Sequence, residues 1–245
     1  MNITDLLTTK LYYMSRLFNL TVKVAIAVLI LMITAGACQK ENNSVLATEN
    51  EKVQANITED SLDCYCLINP SPTVSEAEIE ILLFMREEEK LARDVYLAMH
   101  ELYDIPIFKN IAKSEQHHMN QVLCLLQFYN IPDPASPDTG IFANSDLQTL
   151  YGSLVQQGNI SLIEALKAGA LIEDKDIFDL ESDMNQTENP AILNTFSRLS
   201  CASGNHLHSF TKWLTSKGIT YVPQFLSQQE YDEIITLPHQ FCGNR

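Results

Sequence analysis

Ser114-Glu115-Gln116-His117-His118-Met119 lies in the middle of a long amphipathic stretch, and two of its residues look out of place there. Glu115 and His118 are three positions apart, so on a helix they share a face about one turn from each other. The rest of that face reads Phe108, Ile111, Val122, Leu125 and Tyr129, all apolar or aromatic and each spaced by helical steps. A carboxylate and an imidazole therefore occupy positions where core side chains belong, and a buried carboxylate without a partner is expensive. Glu-x-x-His facing inward is the ligand spacing of metal sites built inside helix bundles. Alone, the spacing is too short to be specific. What matters is whether other helices offer matching groups at the same depth.

Three further long helices are predicted, and each does. Thr73 or Ser75, followed by Glu76 and Glu78, makes a helix start with acids in its first turn. From there to Tyr103 one stripe reads Ile79, Leu82, Met85, Glu89, Ala92, Tyr96, Met99, Tyr103, with Glu89 interrupting it halfway. Glu88 lies on a second apolar line and is the runner-up, whereas Glu87 reads as solvated. Asp104-Ile105-Pro106 breaks the chain and opens the second helix, which carries Glu115 and His118 to about Asn130. So short a connection makes the two helices antiparallel neighbours.

The proline-rich run Ile131–Gly140 cannot be helical; with a shorter helix over Ser145–Gln157 it is long enough to travel the length of a bundle. Asn159 or Ser161 caps the third long helix, whose seam Leu162, Leu166, Ala170, Glu173, Ile177, Leu180, Met184 is broken by Glu173. Asp176 lies on a similar face, and reads equally as a further ligand, a supporting partner or a solvated acid in a run with Asp174, Asp179 and Glu181. Asn189-Pro190 opens the fourth helix, with proline where the first turn tolerates it. Its line Ile192, Phe196, Leu199, Ser203, His206, Phe210, Trp213 places His206 in the core, while His208 falls off the line and reads as exposed. A short helix over Ser227–Ile235 is left to cover the bundle end.

The expected fold is therefore all-α: an up-down four-helix bundle over residues 75–237, with a long crossover carrying a short helix, and a tail from 238 to 245. Packed together, the interrupted seams place Glu89, Glu115, His118, Glu173 and His206 in one layer. Carboxylates crowded there repel one another unless cations offset them. A mixed carboxylate and imidazole set suits iron, manganese or zinc.

The first 38 residues belong to a different regime. Lys10, Arg16 and Lys23 precede the apolar run Val24–Ile33, and Ala35-Gly36-Ala37 leads into Cys38. Basic, then apolar, then small residues make a secretory signal, with a run too short to span a bilayer comfortably. Its Ala-Gly-Ala-Cys end is similar to a bacterial lipoprotein signal, in which Cys38 is lipidated; Ala35 stands where leucine is commoner. A start at Met14 would give a signal of more usual length. Residues 39–74 are polar and read as a flexible tether.

The protein expected is thus exported and anchored to a bacterial membrane through Cys38, on the periplasmic or surface side, with a homodimer as an open alternative for its assembly. A net charge of −15 excludes nucleic-acid binding, which needs a basic face. Five of the six cysteines follow Cys38, an odd number that leaves at least one out of any pairing. Cys64-Tyr65-Cys66 is too tight for a usual pair and Cys124 reads as a small core residue, while the pairing among Cys64, Cys66, Cys124, Cys201 and Cys242 stays open.

Glu89, with Ala92 and Tyr96 following it, resembles the first-helix metal motif of rubrerythrin-type ferritin-like proteins, and Glu115-x-x-His118 resembles their second-helix motif. Three longer stretches look like an uncharacterised bacterial and archaeal domain family placed in the ferritin-like superfamily. They are Glu87-Glu88-Glu89-Lys90-Leu91-Ala92-Arg93-Asp94-Val95-Tyr96, Ile172-Glu173-Asp174-Lys175-Asp176-Ile177 and Gly204-Asn205-His206-Leu207. The resemblance implies a four-helix bundle with a two-metal site and no particular reaction; the leading reading of that site is two irons bridged by Glu115 and Glu173. It also exposes a departure, since Ser203 stands where the pattern has a glutamate three before the last histidine. Asp176, Asn205 or water would have to fill that place.

Two function classes follow. One is a redox or oxygen-handling metal protein, in which Tyr96 supplies a hydrogen bond or an electron. The other is a metal-binding or structural module of the cell envelope without turnover. A tethered lipoprotein is ill suited to a storage cage, and no cysteine quartet for an electron-transfer iron centre is present.

Overall fold

Helix ends are set by side-chain chemistry. The computed structural model describes residues 70–243, within which the chain is all-helical, with six helices and no strand. The signal, Cys38, most of the tether and Cys64–Cys66 lie outside those residues. The helices are α1 Glu76–Tyr103, α2 Pro106–Phe128, α3 Ser145–Gly158, α4 Leu162–Met184, α5 Pro190–Ser216 and α6 Gln228–Thr236. Ser75 and Glu78 form a reciprocal capping box at the start of α1. Ser161, rather than Asn159, caps α4, and Asn189 caps α5 ahead of its proline. Asp104 ends α1 in the left-handed region (φ 48°), which aspartate tolerates, and Pro106 starts α2 two residues later.

The four long helices lie side by side, antiparallel in each contacting pair. Along α1 and α4, Glu78 meets Thr187, Glu88 meets Lys175, Tyr96 meets Glu173 and Tyr103 meets Gly158. Along α2 and α5, Ser114 meets His206 and Tyr129 meets Asn189. Residues 129–161, α3 among them, therefore run from one end of the helices to the other. Two apolar blocks result. Leu82, Met85, Val122, Leu125, Phe196 and Leu199 belong to one; Tyr96, Met99, Phe108, Leu166, Phe210 and Leu214 belong to the other. On every long helix the polar residues of the predicted layer fall between these blocks.

The charged run of α1 divides by helical angle. Glu89 faces inward. Glu88 turns to α4 and pairs with Lys175 at 2.5 Å. Arg86, Glu87, Lys90 and Asp94 face the crossover and fasten it. Arg86 holds Asp133 at 2.7 Å, Lys90 donates to Asp138 O and pairs with Asp94 at 2.5 Å, and Asp94 also receives the Gly140 N–H. Glu87 is not solvated as its sequence context suggests. It is buried and accepts the N–H groups of Ala143 and Asn144 at 2.7 and 2.8 Å, just ahead of α3. Glu87→Ala leaves those donors unpaired and should cost about 1–3 kcal/mol in urea unfolding. Amide exchange at 143–144 should rise with it.

Three more expectations need correction. Cys124 is buried but disulfide-bonded, so it is not a free core thiol. His208 is half-buried rather than exposed, its ring 5.4 Å from that of His239 in the tail. Asp174, read as one of a solvated run, is wholly buried. It accepts the Tyr221 hydroxyl and the N–H groups of Gln224, Phe225 and Leu226, pinning the segment before α6.

Candidate metal centre

Each long helix brings the residue that interrupts its seam to one place. Glu89 of α1 with Glu115 and His118 of α2 forms one triad, and Glu115 with Glu173 of α4 and His206 of α5 forms a second. Within each, the nearest ligand atoms lie within 4.8 Å of one another, and all five residues are buried. Glu115 is common to both triads; Glu173 belongs to one. His118 Nδ1 is 2.7 Å from Glu115 Oε2 and 3.1 Å from Glu89 Oε2. His206 Nδ1 is 2.9 Å from Glu115 Oε1 and 3.4 Å from Glu173 Oε2. The two rings face each other 5.6 Å apart, inclined by 25°.

The orientation of these groups carries more information than their proximity. His206 Nδ1, Glu115 Oε1 and Glu89 Oε1 are buried without a hydrogen-bond partner, although His206 Nδ1 and Glu115 Oε1 are close. Close approach without donor–acceptor alignment is what ligand atoms aimed at a shared point present. It is costly for a purely hydrogen-bonded core, where nearly every buried polar group finds a partner. Mixed nitrogen and carboxylate donors fit iron, manganese or zinc.

Neighbours hold the side chains of the triads in place. Ser114 Oγ lies 3.1 Å from His206 Nε2, which turns Nδ1 toward the carboxylates. The Tyr96 hydroxyl donates to Glu173 Oε1 at 2.5 Å. Gly169 makes room for this, because a Cβ there would lie 2.5 Å from the Phe210 ring that packs on Tyr96. Burial, with Glu173 and Glu115 close by, raises the Tyr96 phenol well above its ordinary value, so it stays a donor.

Electrostatics without a cation is a compromise. Burial pushes the Glu89 carboxyl up to about 8, against the pull of His118. Burial also opposes a charged imidazole, yet Glu115 and Glu173 outweigh it and push His206 up to about 10. Glu115 and Glu89 likewise hold His118 well above its usual value. Burial would raise Glu115 too, but the two imidazoles overcome it and hold that carboxyl below its ordinary value.

The remaining candidates are placed as follows. Tyr96 touches the centre through Glu173. Glu88, one residue before Glu89 and so turned by a helical step, is engaged by Lys175 outside both triads. Asn205 faces away: it exchanges two hydrogen bonds with the backbone of Gln240 in the tail. Asp176 is buried beside the triads and takes a hydrogen bond from Ser203 at 2.6 Å. Ser114 was missed as a contributor, though it stands four residues before His118 on the same helix.

The comparisons agree with one another. A family profile described as an uncharacterised protein domain, DUF2202, matches residues 78–238. An uncharacterised protein of the archaeon Methanocaldococcus jannaschii, MJ0754, is 49% identical over 177 residues, covering 72% of this chain and 96% of its own length. The crystal structure of that hypothetical protein, at 47% identity, matches with a TM-score of 0.69 over 70% of this chain and 98% of that one. Every residue of both triads lies inside the matched span, and the chain belongs to the DUF2202 family of uncharacterised domains.

Proposed function

We propose that this chain binds two divalent metal ions, iron first among them, in the core of a ferritin-like four-helix bundle, and uses them for oxidoreductase chemistry with oxygen or peroxide. The observation that carries the reading is the pair of buried triads sharing Glu115, in which Glu89 Oε1, Glu115 Oε1 and His206 Nδ1 are buried without hydrogen-bond partners. The helix order supports it. Antiparallel pairs joined by one end-to-end crossover are the connectivity ferritin-like bundles use. Manganese or zinc would fit the same donors.

Bound metal would supply electron transfer or Lewis-acid polarisation. The chain's own contributions are more specific. Glu115 would serve both ions, His118 and His206 would each serve one, and Glu89 and Glu173 would complete the two sides. Tyr96 orients Glu173, Ser114 orients His206, and the apolar blocks on either side exclude water. With every ligand buried, the centre suits a substrate as small as dioxygen or peroxide.

The same reading places the protein outside the cytoplasmic membrane of a bacterium, tethered through a lipid on Cys38. The disulfide between Cys201 and Cys242 supports export, since such bonds persist in oxidising compartments. No helix among the described residues is long and apolar enough to cross a membrane.

Ferrous-loaded protein mixed with peroxide or oxygen, with a reductant present, tests the chemistry. Repeated consumption supports the enzyme. Binding with no consumption beyond the buffer control overturns turnover and leaves a metal-binding envelope module.

Protons and metal compete for the same nitrogens, which fixes a pH dependence. His206 is raised from 6.5 to about 10 in the folded protein, so its stabilisation is complete below 6.5 and lost as pH climbs through 10. Glu89, raised from 4.5 to about 8, erodes in the same direction between those values. Metal-free protein should therefore melt at progressively lower temperature from about pH 5 to about pH 9, whereas apparent metal affinity should rise over that range. Thermal melts and metal titrations across pH check both halves.

A further inference from the structure

Asp176 is the buried acid beside the centre that neither triad uses. It follows Glu173 by three residues on α4, so both carboxylates leave one face of that helix. Ser203 of α5 donates to Asp176 Oδ2 at 2.6 Å, while Asp176 Oδ1 is buried with no hydrogen-bond partner. The acids that press on its carboxylate are Glu89, then Glu173, then Glu115. The first is exclusive to one triad, the second to the other, and the third common to both. Asp176 is thus within electrostatic reach of both halves of the centre.

Helices α2 and α5 then explain each other. Glu115 precedes His118 by three residues on α2, and Ser203 precedes His206 by three on α5. Where α2 offers a carboxylate, α5 offers a hydroxyl, and that hydroxyl holds the carboxylate of α4. Charge balance points the same way. Glu89, Glu115, Glu173 and Asp176 together neutralise two divalent cations with both imidazoles neutral, the state in which they can be ligands. Without Asp176 a buried net positive charge would remain, which is expensive.

Resting on the two-metal reading, we propose that Asp176 is a further carboxylate ligand of the centre, with Oδ1 its ligand atom and Oδ2 fixed by Ser203. The ligand absent from α5 is supplied across the helix interface by α4. Ser203 is a positioning residue, and the set of metal ligands is six rather than five.

Titration of the full-length protein with manganese(II), read by calorimetry and by bound metal after desalting, tests this without any activity assay. Three variants are compared with the parent, and circular dichroism checks their folding. Asp176→Asn keeps the shape and should lower affinity for at least one ion by about a hundredfold, the upper end of what even supporting groups contribute. Ser203→Ala, which leaves the carboxylate in place but loose, should lower it about tenfold. Ser203→Glu in the Asp176→Asn background returns a carboxylate to α5 and should recover the lost ion. A parent that binds two ions while Asp176→Asn and Ser203→Ala match it overturns this inference and leaves the two-metal reading intact. Should Asp176→Asn not fold, an unchanged Ser203→Ala alone overturns it. A folded parent that binds one ion or none overturns both.

Discussion

Glu115→Gln should empty both halves of the centre at once. Glu89→Gln or Glu173→Gln should each weaken one half and spare the other. The asymmetry follows from geometry, because Glu115 is the residue the two triads share, its oxygens facing His118 at 2.7 Å and His206 at 2.9 Å. Glutamine keeps the volume and removes the charge, so one ligand oxygen is replaced by a donor pointing at a cation. Affinity for each ion should fall by more than about a hundredfold, since outer partners alone account for ten- to a hundredfold. The metal-free protein should also change. Glu115 is the largest influence raising both imidazoles, so His206 and His118 should titrate nearer their ordinary range once it is neutral. Metal analysis gives the first result and proton NMR of the imidazoles the second. Retention of one full equivalent at parental affinity by Glu115→Gln would contradict the shared role.

Asp174→Ala should be the most damaging substitution away from the two triads. The carboxylate is wholly buried and receives the Tyr221 hydroxyl at 2.8 Å and the N–H groups of Gln224 and Leu226 at 2.6 and 2.9 Å. Removing it strands those donors under the segment between α5 and α6. Breaking such a buried charged network costs about 3–5 kcal/mol. In a domain of this size that lowers the melting temperature by roughly 10 °C. The cost is capped by the alternative in which residues 219–227 peel away and hydrate their own amides. Limited proteolysis in that segment should therefore accelerate even where melting changes less. A variant with the parental melting point and cleavage pattern would show that Asp174 is dispensable to the fold.

Much of this architecture is written in local chemistry. Ser75, Ser161, Asn189 and Ser227 cap helices where a short polar side chain precedes an apolar-periodic run. Glu89, Glu115, Glu173 and His206 stand out because periodicity fixes which face a residue occupies, and a charge on a core face is conspicuous. Periodicity says nothing about what covers the opposite face. Glu87 and Asp174 lie on faces that would be solvated on an isolated helix. They are buried because the crossover and the segment before α6, 56 and 52 residues away in sequence, close over them. Lys90 and Asp94 are covered by the crossover in the same way. Cys124 illustrates another limit, since a buried thiol and half of a disulfide look alike in one sequence. Ser203 did register as a departure from the expected pattern; that Asp176 reaches across to it required the packing of α4 on α5.

The most direct test of the two-metal centre is the metal content of the full-length protein, purified after expression with iron, manganese and zinc supplied and again after reconstitution. Close to two equivalents per chain are expected, reduced below about half an equivalent in Glu115→Ala/His118→Ala, since that double variant removes a residue from both triads. A well-folded parent that holds no metal under either condition would contradict it. The buried carboxylates and imidazoles would then be a proton-balanced core and nothing more.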